Sequence, residues 1–214
     1  MIIKKVIVGM MAVNCYIVGD ENTRKGVVID PGAEANKIIE EIKKENLDIE
    51  YILLTHSHFD HIGAVDKVKE FTKAKVVIHK EGQEYLKNPN LNLSKSFANK
   101  EIKIDPDKLI SDGEFIKFGN LTFRVFYTPG HTVDGVNYYE ENNKVLFSGD
   151  NLFRNSIGRS DLPGGDQNLL ITSLKNKIMT LPENVKVYPG HEAETTIGFE
   201  KNNNPYLIEN SWDE

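Results

Sequence analysis

The chain has 214 residues, which suits one α/β domain spanning 1–214, and its 39% hydrophobic and 27% charged residues are typical of a globular protein. Its 26 basic and 32 acidic side chains give a net charge of −6, which argues against nucleic acid as a partner. The one cysteine, Cys15, excludes an intrachain disulfide and every cysteine-rich metal framework. Within its apolar segment Cys15 is expected to be a small buried side chain.

The N-terminal residues resemble a secretory signal peptide, because two lysines precede a short apolar run. However, polar Asn14 stands where a cleavage site needs small residues, and the apolar pattern then continues as a strand. No apolar run approaches the roughly 18 residues of a membrane-spanning helix. We therefore expect a cytoplasmic protein that makes no contact with a membrane.

The first half of the chain alternates between strand and helix patterns. Short apolar runs predict strands at 2–8, 14–18, 26–29, 49–54 and 75–78. Apolar residues at helical spacing predict helices at 35–45, 64–71 and 81–86. Residues 87–106 are rich in Asn, Ser and Lys and lie between prolines, so we expect a long ordered loop that could act as a lid.

The second half repeats this arrangement. Strands are predicted at 114–118, 121–127, 136–139 and 144–147, followed by an irregular stretch at 151–166. A helix is predicted at 168–181, then a strand at 185–188 and a final helix. Two similar halves of this kind favour two sheets packed together with helices outside, a four-layer αβ/βα sandwich of the α/β class.

The segment T-H-S-H-F-D-H at 55–61 holds three of the six histidines in the chain. His56, His58 and Asp60 alternate, so they share one side of an extended segment, while His61 points elsewhere as the chain turns. One short segment can therefore offer ligands to two neighbouring metal ions. Asp60 has a competing interpretation as the N-cap of the following helix.

Three more strands end directly before a residue that commonly binds metals. The runs are F-R-V-F-Y-T-P-G-H, V-L-F-S-G-D and V-K-V-Y-P-G-H. Because sites in α/β sheets gather at the carboxyl ends of strands, these residues should converge with the first segment. The candidate ligands are His56, His58, Asp60, His61, His131, Asp150 and His191. Asp150 has a competing interpretation as a turn aspartate, and His79 is left out because no candidate ligand accompanies it.

These motifs resemble the metallo-β-lactamase fold superfamily, which shares the H-x-H-x-D-H signature. Other segments extend the resemblance over nearly the whole chain: V-V-I-D-P-G, T-P-G-H-T, G-R-S-D-L-P-G-G-D and T-T-I-G-F-E-K-N-N-N-P-Y-L. The later segments are similar to single-domain relatives of hydroxyacylglutathione hydrolase (glyoxalase II). The resemblance implies the metallo-β-lactamase fold.

The resemblance also implies how the ligands divide between two metal ions. His56, His58 and His131 would hold the first ion, Asp60, His61 and His191 the second, and Asp150 would bridge them. Two divalent ions balance the two carboxylates and a bridging hydroxide better than one ion does. Zinc is favoured, although imidazole and carboxylate ligands also suit iron and manganese.

The implied function is a metal-dependent hydrolase that cleaves a small-molecule thioester with the metal-bridging hydroxide, which Asp60 would orient as the catalytic side chain. Asp30 is a candidate partner for a ligand histidine, with a turn aspartate as the alternative. Arg159 and Asp161 either recognise substrate or fix their loop, and the second reading is favoured slightly. The substrate, the metal and the oligomeric state stay open.

Two alternatives and three departures from the family pattern accompany this hypothesis. One alternative is a persulfide dioxygenase with one iron on His56, His131 and Asp150, and the other is a non-catalytic metal-binding or electron-transfer domain. The family often has Pro-Gly where Val133 and Asp134 stand, and Gly where Glu192 stands. The chain also lacks room after His191 for the helical glutathione-binding extension of glyoxalase II, so little dependence on glutathione is expected.

Overall fold

Two six-stranded sheets face each other in the computed structural model, which describes residues 1–98 and 100–208. In the first sheet the spatial order follows the chain: β1 (Ile2–Val8), β2 (Val13–Gly19), β3 (Lys25–Ile29), β4 (Asp48–Leu53), β5 (Lys75–His79) and β6 (Lys108–Ile110). Strands β1 to β3 pair antiparallel, and β3 to β6 pair parallel. The parallel half brings the carboxyl ends of its strands to one edge.

The second sheet is built from β7 (Phe115–Phe118), β8 (Leu121–Tyr127), β9 (Val136–Glu140), β10 (Val145–Gly149), β13 (Lys186–Pro189) and β14 (Thr195–Thr196). Their spatial order is β14-β13-β10-β9-β8-β7, with β10 and β13 parallel. A small separate hairpin pairs β11 (Leu152–Phe153) with β12 (Ser156–Ile157).

The helices lie on the outer faces of the sheets. They are α1 (Ala35–Lys44), α2 (Phe59–Ile62), α3 (Val65–Thr72), α4 (Gln83–Lys87), α5 (Ser94–Phe97), α6 (Gln167–Ser173) and α7 (Ile197–Asn203), with a 3₁₀ turn at Lys80–Gly82 and a π turn at Leu174–Ile178. In α1, Ile38 and Ile42 lie one turn apart and both are buried, so one face packs on the first sheet. Asp166 caps α6 by accepting a hydrogen bond from Leu169 N at 2.9 Å.

Three buried layers separate the four layers of secondary structure. Helices α1 and α3 pack on the first sheet through Ile38 and Val68, and the two sheets pack together through residues such as Val27 and Phe123. Helices α6 and α7 pack on the second sheet through Leu170 and Ile197. The predicted four-layer αβ/βα sandwich is confirmed, and Cys15 is fully buried as expected.

The described part of the loop at 87–106, residues 87–98 and 100–106, is more closely packed than its polar composition suggests. It contains the short helix α5, and the side chains of Ile102 and Ile104 are buried in the first core layer. The amide of Asn92 donates to the carbonyl of Ile102 at 2.9 Å, which closes the loop on itself. Its packing against Phe59, whose ring stacks on Phe97 at 6.0 Å between centroids, places it beside α2.

The structure also differs from the predictions at several short elements. Strands β6, β11, β12 and β14 were not predicted, because two or three residues are too few to display an alternating pattern. The predicted helix at 168–181 changes to a π turn at Leu174–Ile178. Across the described part of the chain, none of the helices combines the length and apolar character that crossing a membrane requires.

Candidate metal centre

All seven candidate ligands lie together at the carboxyl ends of four strands. The segment after β4 supplies the first four, and α2 begins within it, so that Asp60 and His61 lie on helical backbone. Strands β8, β10 and β13 lead to His131, Asp150 and His191. The N-cap of α2 is His58, so the interpretation of Asp60 as a mere N-cap is wrong.

His56, His58 and His131 form the first group, buried at the base of the site. His58 Nδ1 lies 3.1 Å from His56 Nε2 and 3.1 Å from His131 Nε2. The other ring nitrogens of the two partners are occupied, since His56 Nδ1 faces Thr55 Oγ1 at 3.1 Å and His131 Nδ1 faces the carbonyl of Arg159 at 2.7 Å. Because Nδ1 of both rings carries the proton that makes these contacts, Nε2 of both rings carries a free lone pair. These lone pairs can bind a cation between the three rings.

Asp60, His61 and His191 form the second group. His191 Nε2 lies 3.4 Å from Asp60 Oδ2 and 3.4 Å from Asp150 Oδ2, while His61 Nε2 lies 3.3 Å from Asp150 Oδ1. Within the described part of the chain, His61 Nε2 and Asp150 Oδ1 are buried without a hydrogen-bond partner. Two unpartnered buried ligand atoms that face each other fit a metal ion.

Asp150 lies between the two groups. Its Oδ2 is 3.7 Å from His131 Nε2, and its other oxygen faces His61. Together with His56 and His61 it completes a third set of ligand atoms that lie within 4.8 Å of one another. A carboxylate in this position can bridge two ions.

The electrostatics of the two groups differ. Burial and the neighbouring rings lower the pKa of His56, and burial lowers the pKa of His58 to about 3. Burial also opposes protonation of His191, but hydrogen bonds to Asp150 and Asp60 outweigh it and raise its pKa to about 9. The first group is therefore ready to ligate as neutral imidazoles, whereas metal binding at the second group must displace a proton.

Asp30 supports ligands of both groups from the end of β3. Its Oδ2 accepts hydrogen bonds from His61 Nδ1 at 3.0 Å and from Thr55 Oγ1 at 2.6 Å, and its Oδ1 accepts from Thr55 N at 2.8 Å. Thr55 Oγ1 in turn faces His56 Nδ1. The side chain thus contacts a ligand histidine, as the sequence hypothesis proposed, although its backbone φ of 50° also places it in a turn conformation.

His191 is supported by the hairpin that joins β1 to β2. Its Nδ1 faces the carbonyl of Met11 at 3.0 Å, and the buried amide of Asn14 donates to the carbonyls of Pro189 and Glu192. From the sequence, Asn14 was expected to be a strand residue and was not included among the residues of the site. No local pattern marks a contact between residues 175 positions apart.

Arg159 and Asp161 form an exposed ion pair with two hydrogen bonds of 2.7 Å. The guanidinium lowers the pKa of the Asp161 carboxyl to about 2. The pair borders an open cavity of about 400 Å³, and the carbonyl of Arg159 accepts from His131. Its backbone therefore supports a candidate ligand, while its side chain holds Asp161.

The departures from the family pattern have structural consequences. Glu192 has a φ of 64°, the left-handed region where glycine is more usual. Asp134 is fully buried, and burial raises the pKa of its carboxyl to about 6. At Gly190 a Cβ atom would collide with Asp150 Oδ1, so the backbone there passes close to the candidate ligands and requires glycine. His79, which was not counted among the candidate ligands, stacks on Tyr127, with ring centroids 4.0 Å apart.

Comparison with known proteins agrees with this geometry. The family model described as the Metallo-beta-lactamase superfamily matches residues 8–191. The probable metallo-hydrolase YqgX of Bacillus subtilis is 40% identical over 203 residues, which cover 94% of each chain. Hydroxyacylglutathione hydrolase GloC of Haemophilus influenzae is 34% identical over 196 residues, covering 91% of this chain and 92% of GloC.

Solved structures show the same fold. The BLEG-1 B3 metallo-beta-lactamase has a TM-score of 0.92 and 42% identity, covering 96% of this chain and 99% of its own. TTHA1623 in a di-iron-bound form has a TM-score of 0.85 and 35% identity, covering 95% and 100%. ETHE1 from Myxococcus xanthus has a TM-score of 0.79 and 30% identity, covering 96% and 84%. These matches confirm the resemblance seen in the sequence.

Proposed function

The chain belongs to the metallo-beta-lactamase superfamily, and this membership makes it a metallo-hydrolase. We propose that it cleaves thioesters and that it uses two divalent metal ions to do so. The observation that carries the proposal is the pair of ligand groups on either side of Asp150, with unpartnered atoms turned toward one another. The likeness to GloC over 92% of that protein's length supports a thioester as the substrate class.

The chain's own side chains hold the site ready for this reaction. When bound, two divalent ions supply a nucleophile derived from water and stabilise the negative charge that develops on the carbonyl oxygen. Asp30 and Thr55 fix the rings of His61 and His56 so that both present Nε2. Asp60 lies at the partly open side, where its carboxylate would help to hold the second ion and would accept a hydrogen bond from the attacking water.

Aromatic rings offer an apolar surface for the acyl group. The ring of Phe153 lies 6.3 Å from that of His191, and Phe59 stacks with Phe97 beside α2. Binding energy then comes from the acyl side and the metals, and the thiol part of the substrate contributes less. The preferred substrates are thioesters of small acyl groups, with zinc as the favoured metal.

A second candidate is a dioxygenase with one iron on His56, His131 and Asp150, and it is supported by the di-iron-bound form of TTHA1623, a similar protein that holds iron. The rings of His56 and His131 lie 4.9 Å apart, and His131 Nε2 is 3.7 Å from Asp150 Oδ2, so these three can share one ion. This arrangement leaves the second ligand group without a role. For that reason the two-metal hydrolase is preferred.

The proposal is tested by comparing kcat/KM of the zinc-loaded protein for S-lactoylglutathione and for the lactoyl thioester of a minimal thiol. We expect both to be cleaved, with a preference below about 100-fold, or roughly 3 kcal/mol, for the glutathione thioester. Asp60→Asn should lower kcat/KM by at least about 100-fold. Asp66→Asn, on the exposed face of α3, is the matched control and should leave it unchanged.

Three results contradict the proposal. Hydrolysis of a chromogenic β-lactam without thioester cleavage points to the reaction named for BLEG-1. Oxygen uptake with glutathione persulfide by the iron-loaded protein, without thioester cleavage, supports the dioxygenase. Stable metal binding with turnover of none of these substrates supports a non-catalytic domain.

A further inference from the structure

Asn14 sits where the two sheets meet beside the second ligand group. It is buried, with 2% of its surface exposed, and it is the second residue of β2, next to the hairpin turn between β1 and β2. Its side-chain amide donates to the carbonyl of Pro189 at 3.0 Å and to the carbonyl of Glu192 at 3.1 Å. These two carbonyls flank His191 on either side, so one amide group spans the metal-ligating residue.

The backbone of the same residue adds a third contact. Asn14 N donates to the carbonyl of Gly190 at 2.7 Å, and the His191 ring returns a hydrogen bond from Nδ1 to the carbonyl of Met11 at 3.0 Å. An asparagine amide has two N–H groups in one plane, whereas aspartate offers none and serine offers one. The contact to two carbonyls is therefore specific to the amide.

Both connected segments hold a strained backbone. Ala12 has a φ of 53° and Glu192 a φ of 64°, both in the left-handed region that side-chain-bearing residues rarely adopt. Such conformations persist where surrounding contacts determine them. Here the contacts are those that Asn14 and Met11 make with residues 189–192.

We propose that Asn14 is a positioning residue that sets the affinity of the second metal site through His191. The inference rests on the proposed two-metal centre. It is selective because His191 contributes only to the group with Asp60 and His61, while the first group is supported by Thr55 and by the carbonyl of Arg159. Loss of the amide lets the segment at 189–192 relax, so His191 Nε2 no longer points between the two carboxylates.

The test measures zinc bound per chain at graded free-zinc concentrations, using the full-length protein. Asn14→Ala should weaken the second zinc by about 10- to 100-fold, the usual effect of losing a group that supports a ligand, and leave the first zinc within a factor of about 3. Asn14→Ser keeps one hydrogen-bond donor, so its affinity for the second zinc should lie between those of the wild type and Asn14→Ala. It also disturbs folding less than Asn14→Ala and can replace it if that variant does not fold. Asn204→Ala is the matched control, because Asn204 is equally buried and its amide donates to Ser156 O and Glu200 Oε2 away from the ligands.

A double-mutant cycle separates positioning from general loosening of the fold. In a His191→Ala background, which is expected to keep only the first zinc, Asn14→Ala should change the affinity for that remaining zinc by less than about 2-fold, since the ring that Asn14 positions is gone. Equal weakening of both zincs, an unchanged second zinc, or the same loss in the His191→Ala background each overturn the inference. A wild-type chain that binds two zincs but cleaves no thioester refutes the proposed substrate alone, and one that binds a single zinc refutes both proposals.

Discussion

Replacing Asp30 by asparagine should weaken both metal sites and the fold at once. The carboxylate accepts three hydrogen bonds, from Thr55 N at 2.8 Å, Thr55 Oγ1 at 2.6 Å and His61 Nδ1 at 3.0 Å. In Asp30→Asn the remaining side-chain oxygen can still accept a hydrogen bond from Thr55 N. The new NH₂ group, however, faces two other donors, Thr55 Oγ1 and His61 Nδ1. The Thr55 hydroxyl can rotate to accept, whereas His61 Nδ1–H cannot, so one buried charge-assisted hydrogen bond is lost outright.

The size of the effect follows from that count. A hydrogen bond to a charged group contributes about 1.5–3 kcal/mol, and the left-handed φ of 50° at this position suits asparagine, which offsets a few tenths. We expect a net loss of about 2 kcal/mol, or roughly 4–8 °C in Tm for a chain of 214 residues. Zinc affinity should fall about 10- to 100-fold at both sites, because His61 and His56 both lose their fixed orientation.

The assay combines urea unfolding of the metal-depleted protein with zinc binding at graded free zinc. Thr55→Val is the control, since it removes the hydroxyl that faces His56 but leaves the Asp30–His61 contact, and it should weaken the first zinc more than the second. Loss of the second zinc alone in Asp30→Asn, with the first unchanged, would refute the link through Thr55. An unchanged unfolding midpoint would refute the account of the buried carboxylate.

Three other outcomes are expected. The wild-type protein should bind close to two zinc ions, and His61→Ala should bind close to one, as counted by elemental analysis; equal metal content in both would contradict the two-site geometry. Hydrogen bonds from Asn22 N and Asn120 N lower the pKa of the Asp20 carboxyl to about 2 in the folded protein. The carboxylate therefore stabilises the fold fully above its pKa in the unfolded chain, near 3.9, and this stabilisation is lost as the pH falls through about 2. Asp20→Asn should therefore lower the urea midpoint at pH values near 7 but hardly at pH values near 2, and a difference independent of pH would contradict this. In the loop at 87–106, amide exchange should be slow at Ile102, whose N–H donates to Ser94 Oγ at 3.0 Å, and fast at the exposed residues Glu101 and Lys103; uniform fast exchange would contradict the packing, and uniform slow exchange would exclude a lid.

The parts of the site that could be predicted are those written in short segments. An apolar strand followed at once by His or Asp marks a strand end, and all seven candidate ligands lie together because the carboxyl ends of strands gather at one edge. The boundaries of β1 and β8 agree with the predicted spans for a similar reason, since each strand is bounded by turn residues.

What could not be predicted depends on how the two sheets pack. Asn14 contacts residues 189–192 only because β2 and β13 lie next to each other across the interface between the sheets, a relation that no local period encodes. The hairpin of β11 and β12, which carries Phe153, consists of strands of two residues and shows no alternation. The supports of the ligands were therefore less predictable than the ligands.

The candidate ligands and the residues that support them come from both sheets. His56 and His61 follow a strand of the first sheet and are fixed by Asp30, while Asp150 and His191 follow strands of the second. The sheets are also tied at this edge, where Val136 N donates to the carbonyl of Thr55 at 2.9 Å and the Tyr138 hydroxyl donates to the carbonyl of Leu54 at 2.8 Å. A metal ion shared by ligands from both sheets must favour their packed arrangement, because binding to the folded state alone stabilises it. Metal binding and the packing of the two sheets are thus thermodynamically coupled. We therefore expect a residue that connects the sheets, as Asn14 does, to affect both the metal affinity and the stability of the packed sheets.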